Sequence, residues 1–234
     1  MLAGYNAQRL KKIALQRGWP RPILSSGERE VEPPMGTPAR ADRRYSYADY
    51  VSWADDARWE LIDGVALAMT PAPTWRHQEV LVNLLVHIRV AVEAAGCRVS
   101  VAPLDIRLGP VDVTDDQVFT VLQPDLVVVC DPSKIDARGI KGAPDIVVEV
   151  LSPSTSVRDT LEKRAAYERA GVPEYWIVDP DSERVVVLVL EGGRYGEPRS
   201  FGRGETLVSE RLPALRVDLE GVFESAVSRP TTTP

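Results

Sequence analysis

Gln123-Pro124-Asp125-Leu126-Val127-Val128-Val129 and Asp145-Ile146-Val147-Val148-Glu149-Val150-Leu151 are the two runs that decide the fold. Each is a short apolar stretch of strand length, rich in β-branched residues. The residues between them include the turn and breaker residues Asp131, Pro132, Gly139, Gly142 and Pro144. The two runs are therefore expected as adjacent antiparallel strands. Pairing Cys130 with Pro144 carries the register back to Asp125 opposite Glu149. Directly opposed residues share a face, with Cβ atoms about 4.5–5.5 Å apart, and opposed like charges are destabilising. A divalent cation between the two carboxylates reverses that sign. Mg²⁺ takes oxygen ligands and keeps several waters, so two carboxylates suit it. A slip of one residue would send the two acids to opposite faces. The competing reading is that both are solvated residues at strand ends.

Working outward, Ser154-Thr155-Ser156 opens a helix, with Asp159 in a capping arrangement, and Gly171 and Pro173 end it. Lys163 lies on that helix. It could activate a water or offset charge on a phosphate. It could equally be a surface lysine in the charged run Glu162-Lys163-Arg164, paired with Asp159. Strands follow at Tyr175-Trp176-Ile177-Val178 and at residues 184–190, and further short strands run to about Phe223.

Upstream, Ser46 or Asp49 caps a short helix carrying Tyr50 and Trp53. Asp63-Gly64 between two apolar runs signals a two-residue hairpin. Val80, Leu81, Leu84, Leu85, Ile88 and Val92 recur at helical spacing over residues 75–95, and Gly96 closes that helix. Short strands are expected at residues 97–101 and 104–108, with an acidic loop at 112–117. The pattern is a mixed α/β domain over residues 45–224.

The chain of 234 residues is 44% hydrophobic and 26% charged, as a soluble globular domain with tails would be. No apolar run approaches the roughly 20 residues of a membrane helix, and no signal-peptide core follows the first positive charges. Cys97 and Cys130 have no metal-ligand spacing and read as buried reduced thiols, consistent with the cytoplasm. Residues 1–44 carry 9 Lys/Arg against 4 Asp/Glu, a balance of +5. They read as a basic helix over 1–19 followed by a Pro-rich, disordered linker. Residues 45–234 carry 19 against 30, a balance of −11, which argues against tight non-specific DNA binding. Residues 225–234 are expected to fray.

Several of these stretches resemble the Uma-two family of restriction-endonuclease-like proteins. They are Glu60-Leu61-Ile62-Asp63-Gly64, His77-Gln78, Gln123-Pro124-Asp125-Leu126-Val127-Val128, and the long block Lys141 to Thr155. Asp159, Lys163, Tyr167, Gly171-Val172 and Glu174-Tyr175-Trp176-Ile177-Val178-Asp179-Pro180 continue the resemblance, which spans residues 45–224. It implies an α/β restriction-endonuclease-like core, a central mixed β-sheet flanked by α-helices, of the P-D…(D/E)-x-K nuclease superfamily. It also implies a Mg²⁺-dependent endonuclease acting on DNA, with Mn²⁺ as a substitute. Asp125 and Glu149 would be catalytic metal ligands, Lys163 the catalytic lysine and Glu60 an accessory acid. The superfamily lysine expected two residues after Glu149 is Leu151 here, and Lys163 on the next helix takes its place. His77 is a candidate phosphate contact, or a capping or packing residue. Tyr167 and Trp176 read as core, and Asp145 as outside the site. The alternative function is a weak or inactive nucleic-acid- or protein-binding module on a nuclease fold. A homodimer would suit two cuts in a duplex.

Overall fold

The computed structural model describes residues 43–53, 58–69, 73–152 and 157–225, the side chains of 157–159 excepted. The basic helix and linker expected before residue 43, the Ser154-Thr155-Ser156 helix opening, the Asp159 cap and the C-terminal tail lie outside the described residues.

Helix α1 (Tyr47–Tyr50) begins at Ser46, which forms a capping box with Asp49. Strands β1 (Trp59–Ile62) and β2 (Val65–Ala68) pair antiparallel, with Ile62 facing Val65. Asp63 and Gly64 between them have φ of 53° and 83°, the signature of a type I′ turn. Helix α2 (Trp75–Ala94) is capped by Thr74, whose side chain accepts from His77 N. Its Val80, Leu84, Ile88 and Val92 are fully buried.

Strands β3 (Arg98–Val101), β4 (Ile106–Arg107), β5 (Val121–Leu122) and β6 (Leu126–Val129) follow. The segment read as a loop between the two key strands contains a small antiparallel hairpin, β7 (Ile135–Asp136) and β8 (Gly139–Lys141). Then come β9 (Ile146–Val150), α3 (Val157–Ala170), β10 (Glu174–Asp179) and β11 (Arg184–Glu191). The remainder is β12 (Arg194–Tyr195), β13 (Arg199–Gly202), β14 (Thr206–Val208), β15 (Arg216–Asp218) and a short helix α4 (Leu219–Phe223) where only strands were expected.

The central sheet is mixed. Its order is β12-β11-β10-β9-β6-β3, with β13 beside β11. β6 and β9 are antiparallel, in the expected register: Leu126 faces Val148 and Val127 faces Val147. β9 and β10 are parallel, joined through α3. A six-stranded sheet, β2-β1-β5-β4-β8-β7, stands beside it. Both faces of the central sheet are covered. Leu126, Val128, Ile146 and Val148 pack with α2 and α4. Val127, Val129 and Val147 pack with Tyr167 of α3 and with Ile106, Leu122 and Ile140 of the second sheet. Two-sided burial explains why β6 and β9 read as continuous apolar runs rather than alternating ones.

The reduced-thiol expectation is corrected. Cys97 and Cys130 form a disulfide across 33 residues. The β3–β6 register, with Arg98 facing Val129, continues to Cys97 facing Cys130. Cys97 N bonds to Val92 O and Cys130 N to Asp145 Oδ2, so no ladder bond joins the pair. Such pairs bring side chains closest. The cysteines therefore no longer support a reducing compartment. Among the described residues, no helix is long and apolar enough to cross a membrane.

Candidate active site

Asp125 precedes β6, and its side chain ties that strand to its neighbour. Its Oδ2 accepts from Val150 N at 2.8 Å, while its backbone O accepts from Ala102 N at 3.0 Å. His77, in the first turn of α2, brings Nε2 to 3.3 Å from the same Oδ2. Among the described residues both side-chain bonds of Asp125 fall on Oδ2, so Oδ1 keeps its lone pairs for a ligand.

Glu149 is the one ionisable residue in β9. The β6–β9 register, continued one step, sets it opposite Asp125. It faces the side of the sheet that α3 covers. Ala166, Tyr167 and Ala170 pack α3 against that face. Lys163 precedes them by three, four and seven residues, so the same helical stripe carries it inward. It is not a surface lysine: its side chain is 9% exposed, beside 13% for Glu149 and 6% for Glu60. Lys163 Nζ lies 3.2 Å and 3.4 Å from the two Glu149 oxygens. It lies 3.1 Å from Glu60 Oε2.

Glu60 comes from the second sheet. Its other oxygen accepts from Gln123 N at 2.8 Å, which anchors the chain just ahead of Asp125. Gln123 is itself braced: its Nε2 donates to Asp105 Oδ1 at 2.8 Å, and Arg58 Nη2 donates to its Oε1 at 2.6 Å. Tyr167 is core, as expected, yet its hydroxyl donates to Glu149 Oε1 at 2.7 Å. Sequence reasoning missed that contact, because an aromatic in an apolar stripe reads as core. Trp176 is buried away from the acids, and its Nε1 donates to Glu174. Asp145 stands outside the site, bonded to Cys130 N and to Arg211.

Burial pushes the Glu149 carboxyl up to about 8; Lys163 lowers it, the negative charges of Asp125 and Glu60 raise it, and the Tyr167 hydrogen bond lowers it. Glu60 and Glu149 thus share one lysine in a desolvated setting, with Asp125 opposite Glu149 as a third acid. Among the described residues, no three His, Cys, Asp or Glu side chains form a metal cage. Mg²⁺ does not require one, since it is usually held by one or two carboxylates, waters and substrate phosphate. The surplus negative charge and the unengaged Asp125 oxygen fit such an ion. Asp125, Glu149, Lys163 and His77 line a cavity of about 370 Å³ that Arg58 and Gln123 also border.

A family model described as Uma2, "Putative restriction endonuclease", matches residues 47–220. No curated protein matches the chain. A crystal structure of a "putative nuclease belonging to DUF820" from Anabaena variabilis ATCC 29413 superposes with a TM-score of 0.60. The two chains are 20% identical, and the match covers 76% of this chain and 97% of the other. At that identity the likeness establishes the fold.

Proposed function

The chain belongs to the Uma2 family, and from that premise we propose that it is a Mg²⁺-dependent endonuclease hydrolysing phosphodiester bonds in DNA. The observation that carries this reading is the meeting of Glu60, Glu149 and Lys163 within 3.1–3.4 Å, with Asp125 on the adjoining strand.

Asp125 and Glu149 would hold the ion, Mg²⁺ or Mn²⁺ in its place. When bound, the ion supplies a Lewis acid for a phosphate oxygen and lowers the pKa of a bound water. Lys163 supplies the fixed positive charge that offsets charge building on the phosphate, and its Nζ can pass or hold a proton at the attacking water. Glu60 aims Lys163 and compensates its charge in the buried setting. Tyr167 fixes the orientation of Glu149 through its hydroxyl. His77 faces Asp125, so its proposed role is to orient that carboxylate rather than to contact phosphate directly.

The test is cleavage of labelled DNA in Mg²⁺ and Mn²⁺ by the wild type, Glu149→Ala and Lys163→Ala. Both variants should lose on the order of 10²–10³-fold in rate, the usual cost of removing an electrostatic group from a site. Lys163→Ala at full activity beside an inactive Glu149→Ala would overturn the lysine's role alone. A wild type that binds DNA without cutting it would favour a binding module on the nuclease fold.

A further inference from the structure

Resting on that nuclease reading, we propose that the site acts on unpaired DNA, a single strand or single-stranded flap, with Trp75 as the stacking platform beside the acids. The acids do not lie on an open surface. They line a cavity of about 370 Å³, at the low end of the range for pockets that enclose small ligands. A space of that size takes about one nucleotide, not a base-paired backbone.

The wall around the acids is apolar in part. Leu81, Val82 and Leu85 of α2, with Val101, Ala102 and Pro103, form the apolar part of a wall that also holds Gln78, Gln123, Ser152 and Thr160. Aliphatic walls offer nothing to a phosphate backbone, but they suit the face of a base. In a duplex that face is stacked and paired, and only an unpaired nucleotide can turn it into the cavity while its phosphate meets Asp125 and Glu149. The charge distribution agrees. Among the described residues, Arg58 and Lys163 are the cations of the lining, and Lys163 is held by Glu60 and Glu149. Residues 45–234 carry 19 Lys/Arg against 30 Asp/Glu. Tracking a duplex calls for a row of phosphate-neutralising cations. A short unpaired stretch needs few.

Trp75 is the first residue of α2 and is 74% exposed. It precedes Gln78 and Val82, which line the cavity, by three and seven residues, so it stands on their face of α2. An exposed indole at that rim can stack the base next to the one inside. Stacking of this kind tolerates any sequence and is worth roughly tenfold in affinity per base. Cutting one strand also needs one active site, so a second subunit is not required for the reaction.

The experiment compares a short fluorescein-labelled single strand with its blunt duplex, by anisotropy in Ca²⁺ and by cleavage in Mg²⁺. The single strand should bind about tenfold more tightly, and Trp75→Ala should remove about that factor for the single strand while leaving the duplex unchanged. The logarithm of affinity should fall with the logarithm of salt at a slope of about −1.4 to −2.1, the signature of two or three single-strand phosphates. Duplex bound as tightly as single strand, or Trp75→Ala binding the single strand at full affinity, would overturn the substrate assignment. Single-strand binding without turnover would overturn the nuclease reading and leave the ligand assignment standing. Faster turnover of duplex would do the reverse.

Discussion

Burial, with two other acids nearby, pushes the Glu149 carboxyl up to about 8. An unfolded chain releases that proton near the ordinary value of 4.5. Between those limits the folded state binds the extra proton, so this group's contribution to stability falls as pH rises through the window and levels off above about 8. Glutamine mimics the protonated acid. In EDTA, thermal unfolding should therefore show the wild type losing stability relative to Glu149→Gln between about pH 5 and pH 8, and Mg²⁺ should restore it at the upper end. Parallel melting profiles for the two proteins would contradict the buried acid. Tyr167→Phe removes a hydrogen bond that lowers the Glu149 value. The acid limb of the pH–rate profile should move upward, with a rate loss of about tenfold, since a bond to a charged group is worth ~1.5–3 kcal/mol. An unmoved profile would assign Tyr167 to packing alone. Asp125 and Glu149 were legible because carboxylates interrupt valine runs. Lys163 was named through the family resemblance, while its place in an inward stripe with Ala166, Tyr167 and Ala170 went unread. The Tyr167 hydroxyl was not legible, since an aromatic in an apolar stripe reads as core whatever its oxygen touches.

At the scale of elements, the β6–β9 register was legible because turn-forming residues bracket two clean apolar runs, leaving little freedom to slip. The Asp63-Gly64 turn was legible for the same kind of reason: both residues must take positive φ. That turn positions β1 and therefore Glu60. A Cβ on Gly64 would lie 2.9 Å from Arg44 Cβ at a φ of +83°. Gly64→Val should cost about 1–3 kcal/mol in denaturant unfolding. An unchanged midpoint would show that the turn tolerates a side chain. The disulfide was not legible, because it depends on β3 pairing with β6 across 33 residues, and two cysteines alone do not announce a pairing. Cys97→Ser with Cys130→Ser should destabilise the protein by roughly 2–4 kcal/mol under non-reducing conditions. Equal stability of the oxidised wild type and the double variant would count against a structural role for the bond. The short hairpin β7–β8 escaped notice because each strand is two or three residues long.

On the scale of the molecule, the candidate site belongs to no single element. Glu60 comes from the six-stranded sheet, Asp125 from the position just before β6 and Glu149 from β9 of the central sheet, and Lys163 from the crossover helix. Local patterning supplied the strands and helices but not the way the two sheets meet, which is what brings Glu60 to 3.1 Å from Lys163. The acidic balance of residues 45–234 takes on a local meaning there: Glu60 and Glu149 share Lys163, Asp125 stands opposite Glu149, and a divalent cation is the proposed partner of these acids. The most direct test of that claim is calorimetric titration of Mg²⁺ into the wild type, Asp125→Ala and Glu149→Ala. The account predicts that the wild type binds the ion and that each variant loses at least about tenfold in affinity, the scale of removing a metal-site partner. A wild type that binds no divalent cation, or variants that bind it as tightly as the wild type, would contradict it.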